Sequence, residues 1–284
     1  MKINYAQRIS VWYMTGMIIF WFFLFATHRT FGNLNYFFSF LMGLLPFFGG
    51  LVAMLRARDW TSMKGYVSRG VFFLGLGLFC WGCGELIWSY YNFFTGVSAP
   101  YPSFADLGFA PSVFFYCIGA VYLARAAGAD LGLRRRFASL FMVIAPVIMF
   151  FFSYYFLITV ARQGVLLSSS DSPLKNFFDI AYPLGDFISL TAAVIISGLS
   201  FRFIMSEYRI AIFSILSGLA VMFVADSVFS YTTSLATYFN GDLGDIIFTT
   251  ALFLLTFGVL GFCGETDESA LNEKPTFFRS LWHV

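Results

Sequence analysis

Histidine is nearly missing from this chain, which holds only His28 and His283, at opposite ends. Zinc hydrolases of the membrane, bis-histidine haem proteins and Ser–His hydrolases all need imidazole groups gathered at one site, so none of these chemistries fits. Charge is scarce too. Asp, Glu, Lys and Arg make up 11% of the residues, against roughly 25% in soluble domains. No lysine falls inside an apolar run, which removes a retinal-type Schiff base. With 17 Lys and Arg against 15 Asp and Glu there is no basic surplus to meet a phosphate backbone, and nucleic acid is excluded as a partner. Four cysteines, three of them within apolar runs, exclude a disulfide scaffold.

What is plentiful is apolar surface. The hydrophobic share is 59%, mean hydropathy is +0.79, and 40 Phe, 15 Tyr and 6 Trp are present. A water-soluble globule of 284 residues has too little core volume to hide it. The sequence therefore predicts an integral membrane protein whose first partner is the lipid bilayer.

A helical span needs about 20 mostly apolar residues. Eight such runs are drawn, over 9–28, 35–55, 70–94, 105–126, 137–161, 176–201, 209–234 and 243–263. None shows the alternation of an outer-membrane strand, so the fold class is all-α and polytopic. The first run follows Lys2 and Arg8, but Phe25-Ala26-Thr27-His28 offers no signal-peptide cleavage site, and it reads as an uncleaved span. All Lys and Arg except Arg29, Arg162 and Lys175 fall on one side of this eight-span arrangement. That side is cytoplasmic by the positive-inside rule, with both termini there and the protein in the cytoplasmic (inner) membrane. The acids Glu85, Asp106, Asp171, Asp179, Asp186, Asp226, Asp242 and Asp245 gather in the outer half.

The two halves look alike. Arg69 precedes Glu85-Leu-Ile-Trp88-Ser89-Tyr90 as Arg209 precedes Asp226-Ser-Val-Phe-Ser230-Tyr231, and each acid has a serine one turn on. Each is followed by a glycine-bearing loop and another aspartate, Asp106 or Asp245. Four spans per half preserve orientation, so the expectation is a single transmembrane domain, 1–264, built as a parallel duplication of halves 1–136 and 137–264. A short cytoplasmic tail, 265–284, carries Phe277, Phe278, Leu281 and Trp282 for an interfacial helix. Within the third span, glycines 70, 77 and 84 and glycines 75 and 82 form two nearly opposite seams, which predicts a central helix approached from both sides.

Several motifs carry polar chemistry. In Pro100-Tyr-Pro-Ser103-Phe-Ala-Asp106 the serine is a natural N-cap and the aspartate completes a capping box; Asp242-Leu-Gly-Asp245 repeats that logic. Asp179 and Asp186 share a helix face, and Pro183 between them frees a main-chain carbonyl. An ionised acid deep in a helix costs about 2.5–3.5 kcal/mol on insertion, so Glu85, Asp186 and Asp226 ask for a reason. Protonation, hydrogen bonds from Tyr, Trp and Ser, or a bound cation or polar ligand would each supply one. Cys80-Trp-Gly-Cys83 has redox spacing but no second pair. Pro183-Leu-Gly-Asp186 and Asp242-Leu-Gly-Asp245 both lack the first glycine of an intramembrane aspartyl protease. No enzyme is expected.

Around Glu85-Leu-Ile-Trp88, Pro100-Tyr-Pro-Ser-Phe-Ala-Asp106 and Tyr182-Pro183-Leu-Gly-Asp186 the chain resembles multi-span input modules of bacterial and archaeal GGDEF-type diguanylate cyclases and histidine kinases, over about residues 70–250. The resemblance implies a sensory or ligand-binding membrane domain. In those proteins a cytoplasmic output domain follows; here the expectation is signalling through a separate protein partner, at the cytoplasmic face or within the membrane.

The resulting expectation is an outward-facing acidic and aromatic pocket. Glu85, Asp186, Asp226, Trp88, Tyr90, Tyr182 and Tyr231 bind the ligand, and Asp106, Asp179 and Asp245 stand at its mouth. A secondary transporter or proton/cation-coupled carrier is the alternative, and a structural subunit of a larger membrane complex the next. The sequence names no cofactor, metal or ligand.

Overall fold

The computed structural model describes residues 3–59, 65–95, 101–126, 136–165, 167, 172–199 and 208–262. Arg134, Arg135, Asp171, Arg202, Cys263 and the tail 265–284 lie outside the described residues. Eight long helices follow one another: α1 (Tyr5–Ala26), α2 (Asn33–Asp59), α3 (Tyr66–Tyr90), α4 (Asp106–Ala126), α5 (Arg136–Ser153), α6 (Pro173–Leu199), α7 (Arg209–Ser234) and α8 (Leu243–Gly261). π-Helical stretches extend α3 through Tyr91–Thr95 and α5 through Tyr154–Val160. All eight are long and apolar enough to cross a membrane, and the described residues contain no strand. The chain is a multi-pass, all-α membrane protein.

α1 starts earlier than its apolar run suggests, because a polar cap precedes it. The Gln7 amide N–H donates to Asn4 Oδ1 at 2.8 Å and the Asn4 amide N–H to Gln7 Oε1 at 3.1 Å, closing a capping box. The same side chains then staple α1 to the far end of α8. Asn4 Nδ2 donates to the Leu260 carbonyl at 2.7 Å, and the wholly buried Gln7 sends Nε2 to the Phe257 carbonyl at 3.0 Å.

α3 lies at the centre, between α2 and α4, and its glycines decide this. Gly70, Gly77 and Gly84 face Leu123, Tyr116 and Phe109 of α4, while Gly75 and Gly82 face Ala53 and Phe47 of α2. A Cβ at Gly70, Gly77, Gly82 or Gly84 would come within 3 Å of the facing side chain, and one at Gly75 would press on Ala53 at 3.0 Å. Lipid tails are as apolar as leucine, so helices in a bilayer gain from close van der Waals packing rather than from escaping solvent. Two glycine faces on one helix allow two such approaches.

The hairpins α3–α4 and α7–α8 are constructed alike. Gly77 receives Tyr116 and Gly119 receives Leu74 in the first; Gly218 receives Leu255 and Gly258 receives Ile215 in the second. The first hairpin packs on α2 through α3 and on α6 through α4; the second packs on α6 through α7 and on α1 and α2 through α8. α1 and α5 are the least buried helices, presenting rings such as Phe22 and Phe151 outward. Toward the end that carries the N-terminus, Val71, Leu74, Leu78, Ile215, Leu252 and Leu255 form a close-packed apolar core.

Candidate functional site

At the opposite end the packing opens into a cavity of about 790 Å³. Its outer lining includes the exposed Phe31, Tyr101 and Val165, and its depths reach the buried Met42, Tyr116 and Met222. Polar groups hold the helix ends around it.

At the start of α4, Asp106 Oδ2 accepts the Ser103 amide N–H at 2.7 Å and Ser103 Oγ accepts the Ala105 amide N–H at 3.2 Å, so both halves of the capping motif are made. The other carboxylate oxygen, Oδ1, accepts the Tyr182 hydroxyl at 2.5 Å. α8 starts in the same way. Asp242 Oδ1 accepts the Asp245 amide N–H at 3.1 Å, Asp245 Oδ2 accepts the Gly241 amide N–H at 2.6 Å, and the Tyr238 hydroxyl reaches Asp245 Oδ1 at 3.3 Å. Gly241 has φ +83, in the left-handed region where glycine is at ease.

Pro183 has no N–H to offer the carbonyl four residues back, that of Asp179. The freed oxygen is taken by Arg162, whose Nη1 donates to Asp179 O at 3.1 Å and to Asp179 Oδ1 at 2.9 Å. The Tyr101 hydroxyl adds a third bond, to Oδ1 at 3.1 Å. Burial and the neighbouring Asp179 carboxylate push the Tyr101 phenol above its ordinary value. Burial, then the nearby Asp245 carboxylate, does the same to Tyr238. The Asp242 carboxyl is pushed up by burial, against the main-chain N–H groups that it caps.

Deeper in, Glu85 of α3 accepts a short hydrogen bond from the Ser39 hydroxyl of α2, and both residues are buried. The carboxyl groups of Asp186 of α6 and Asp226 of α7 lie within hydrogen-bonding reach of each other. Two carboxyl groups so placed share a hydrogen bond only when a proton lies between them, since two carboxylates offer acceptors alone. Glu85, Asp186 and Asp226 all line the one cavity, as do Trp88, Tyr182, Asp106, Asp179 and Asp245.

Tyr90 and Tyr231 do not join them. They are 57% and 44% exposed and stand outside the lining. The reason is helical phase. Each is five residues past its acid, about 140° round the helix, whereas Ser89 and Ser230, four residues past, stay on the acid's side: Ser89 is buried and Ser230 lines the cavity.

Sequence reasoning missed an aromatic band. Phe109 touches Trp81 at 5.4 Å between ring centroids, Trp81 touches Phe248 at 5.9 Å, and Phe248 touches Phe229 at 6.1 Å. Phe229 touches Tyr238 at 4.9 Å and Tyr238 touches Trp88 at 6.4 Å. All six rings line the cavity. Also missed was a polar hub at Asn240. Its Oδ1 accepts Trp88 Nε1 and Asn92 Nδ2, each at 3.2 Å, and its carbonyl accepts Asn35 Nδ2 at 2.7 Å. Two buried lining atoms have no hydrogen-bond partner, Asn35 Oδ1 and the Tyr116 hydroxyl. With 61 aromatic residues in the chain, nothing local marks out these rings. The Asn35–Asn240 pairing joins residues more than two hundred positions apart.

Among the described residues, no three His, Cys, Asp or Glu side chains converge as ligands for a metal ion. No protein-family model matches the chain, and no significant match is found among curated proteins or solved structures.

Proposed function

We propose that this protein is a ligand receptor of the cytoplasmic membrane, which takes a small molecule into the cavity from outside and reports its occupancy to a separate protein partner. The observation that carries the reading is the cavity's form. It is open at the end of the mouth loops, and the apolar core around Leu74, Leu78, Ile215 and Leu252 closes it below. A pocket open at that end and packed below it suits binding and release on the same side.

Three further points support it. By the positive-inside rule, the distribution of Lys and Arg along the sequence supports an outward mouth. The motifs at Glu85, Ser103–Asp106 and Tyr182–Asp186 resemble those of membrane input modules, and in this chain they lie at the cavity and its rim. The like construction of α3–α4 and α7–α8 accords with duplicated halves, which would place Glu85 and Asp226 on corresponding helices and give one binding space walls of both halves.

The test is a thermal-shift screen of a small-molecule library on the protein in nanodiscs, beside a Ser230→Trp variant whose new ring obstructs the cavity from its wall. Compounds that stabilise the wild type and leave the variant unmoved support the receptor. Such compounds should remain outside sealed proteoliposomes. Accumulation inside them would make the protein a carrier, and a screen whose hits stabilise both proteins equally would remove the cavity as the site.

A further inference from the structure

Three properties of the cavity bear on what it takes. The first is charge. Glu85, Asp106, Asp179, Asp186, Asp226 and Asp245 line it, with Arg162 and Lys175 as the basic residues, and Arg162 is committed to Asp179. The second is hydrogen-bonding capacity. Tyr116 is 3% exposed and lines the cavity, and its hydroxyl, near Asp226, has no hydrogen-bond partner. Asn35 Oδ1, 1% exposed, is an acceptor with no donor. A buried polar atom left unpaired is costly, and an acceptor calls for an N–H or O–H. The third is the wall, a run of six touching rings whose π faces attract cations.

An inorganic ion would suit the acids but leave this volume and the rings unused, and the described acids do not converge in threes. An anion would meet the lining carboxylates at close range. A neutral apolar molecule would suit the rings and leave the acids and orphan acceptors unanswered.

We propose that the ligand is an organic cation: an ammonium group on an aromatic or aliphatic body, its nitrogen set between Asp226, Asp186 and the Tyr116 hydroxyl, its body against the aromatic band. This rests on the receptor reading and specifies its ligand. Binding exchanges one positive charge for another. The Asp186–Asp226 pair carries one proton and one negative charge when empty; when the ammonium enters, its N–H groups donate to both carboxylates and the shared proton leaves to solvent. Apparent affinity therefore rises with pH while the amine stays protonated. The groups around the pair are Tyr116 and Cys117 of α4, Tyr182 of α6 and Arg162 at the end of α5. Of these Arg162 alone is charged, and its charge does not change near neutral pH.

The experiment uses the full chain in nanodiscs and three probes of one shape: phenethylammonium, 2-phenylethanol and 3-phenylpropanoate. Calorimetry near pH 7 in phosphate and in Tris separates binding heat from proton release, and Trp81 and Trp88 supply a fluorescence signal. The expected result is binding of the ammonium alone, release of about one proton, and weakening by roughly tenfold or more in Asp226→Asn. Equal or tighter binding of the alcohol or the carboxylate overturns the proposal while leaving a ligand cavity in place. So does binding of none of the three, the receptor reading being judged separately by the library screen with Ser230→Trp. Binding without proton release overturns the exchange. That measurement is made on wild-type protein, so it stands even where Asp226→Asn fails to fold. A response to calcium or sodium chloride with none to the amine makes the occupant an inorganic ion and overturns it too.

Discussion

Arg162 and Asp179 are joined twice through one guanidinium nitrogen, once to the carboxylate and once to the carbonyl that Pro183 leaves free. The side chains are only 16% and 11% exposed, so the pair is little screened by solvent. It fastens the end of α5 to the first turns of α6, at the rim of the cavity.

Arg162→Ala should lower stability by about 1–3 kcal/mol, the range for losing a hydrogen bond to a charged group with its partner left behind. Asp179→Ala should cost a comparable amount, and the double variant clearly less than the sum. Denaturation of the four proteins in detergent gives the cycle. Additive losses would mean the two residues act independently.

Close helix approach makes a sharper prediction. A Cβ at Gly108 would land on the main chain of Cys80 and Gly84, atoms that cannot swing aside, whereas one at Gly16 meets nothing within 4 Å. Gly108→Ala should therefore destabilise by about 1–3 kcal/mol or more. Gly16→Ala should be neutral or stabilise by up to about 1 kcal/mol, as expected in a helix interior. Thermal melts of the two variants check this, and similar melting temperatures would refute the α3–α4 contact.

The Asp242 carboxyl, raised by burial, gives a pH dependence. A carboxyl whose folded value lies above its unfolded one contributes stability below the unfolded value and loses it as pH rises through the folded value. Asp242→Asn keeps a capping side chain but cannot ionise. Its melting temperature relative to wild type should rise as pH rises out of the ordinary carboxylate range, with Asp245 unchanged in both proteins. A difference that stays constant with pH would show that Asp242 does not titrate there.

Orientation is checked by labelling. Phe31→Cys, at the mouth, should react with a membrane-impermeant maleimide on intact cells, and Tyr66→Cys, at the opposite end, only after permeabilisation. The reverse pattern would invert the topology.

Much of this was legible in the sequence, and the rest was hidden for a physical reason. The eight spans follow from hydropathy, the two faces of α3 from glycine spacing, and the caps at Asp106 and Asp245 from short-range motifs. Each is a local signal. Which ring of a helix faces the interior is not local here. A soluble helix reveals its buried face by contrast with a polar one, but in a bilayer both faces are apolar and the contrast vanishes. Hence Trp81, Phe109, Phe229 and Phe248 passed unnoticed, and Tyr90 and Tyr231, chosen for their nearness to an acid in sequence, are turned away from the cavity. Asn35 and Asn240 were missed because their pairing exists only once the first and last parts of the chain have met.

The staple between Asn4, Gln7 and the last turns of α8 sets an order of events. The amides at the start of α1 are made well before the carbonyls they bind, at Phe257 and Leu260, some 250 positions later. Until α8 enters the bilayer, α1 carries two amides without their tertiary partners, and its hold on the bundle is through α2. Closure of the ring of helices is therefore timed by the arrival of α8. A chain interrupted before that point would be left with an open seam of polar side chains, the kind of feature by which quality control separates unfinished membrane proteins from finished ones.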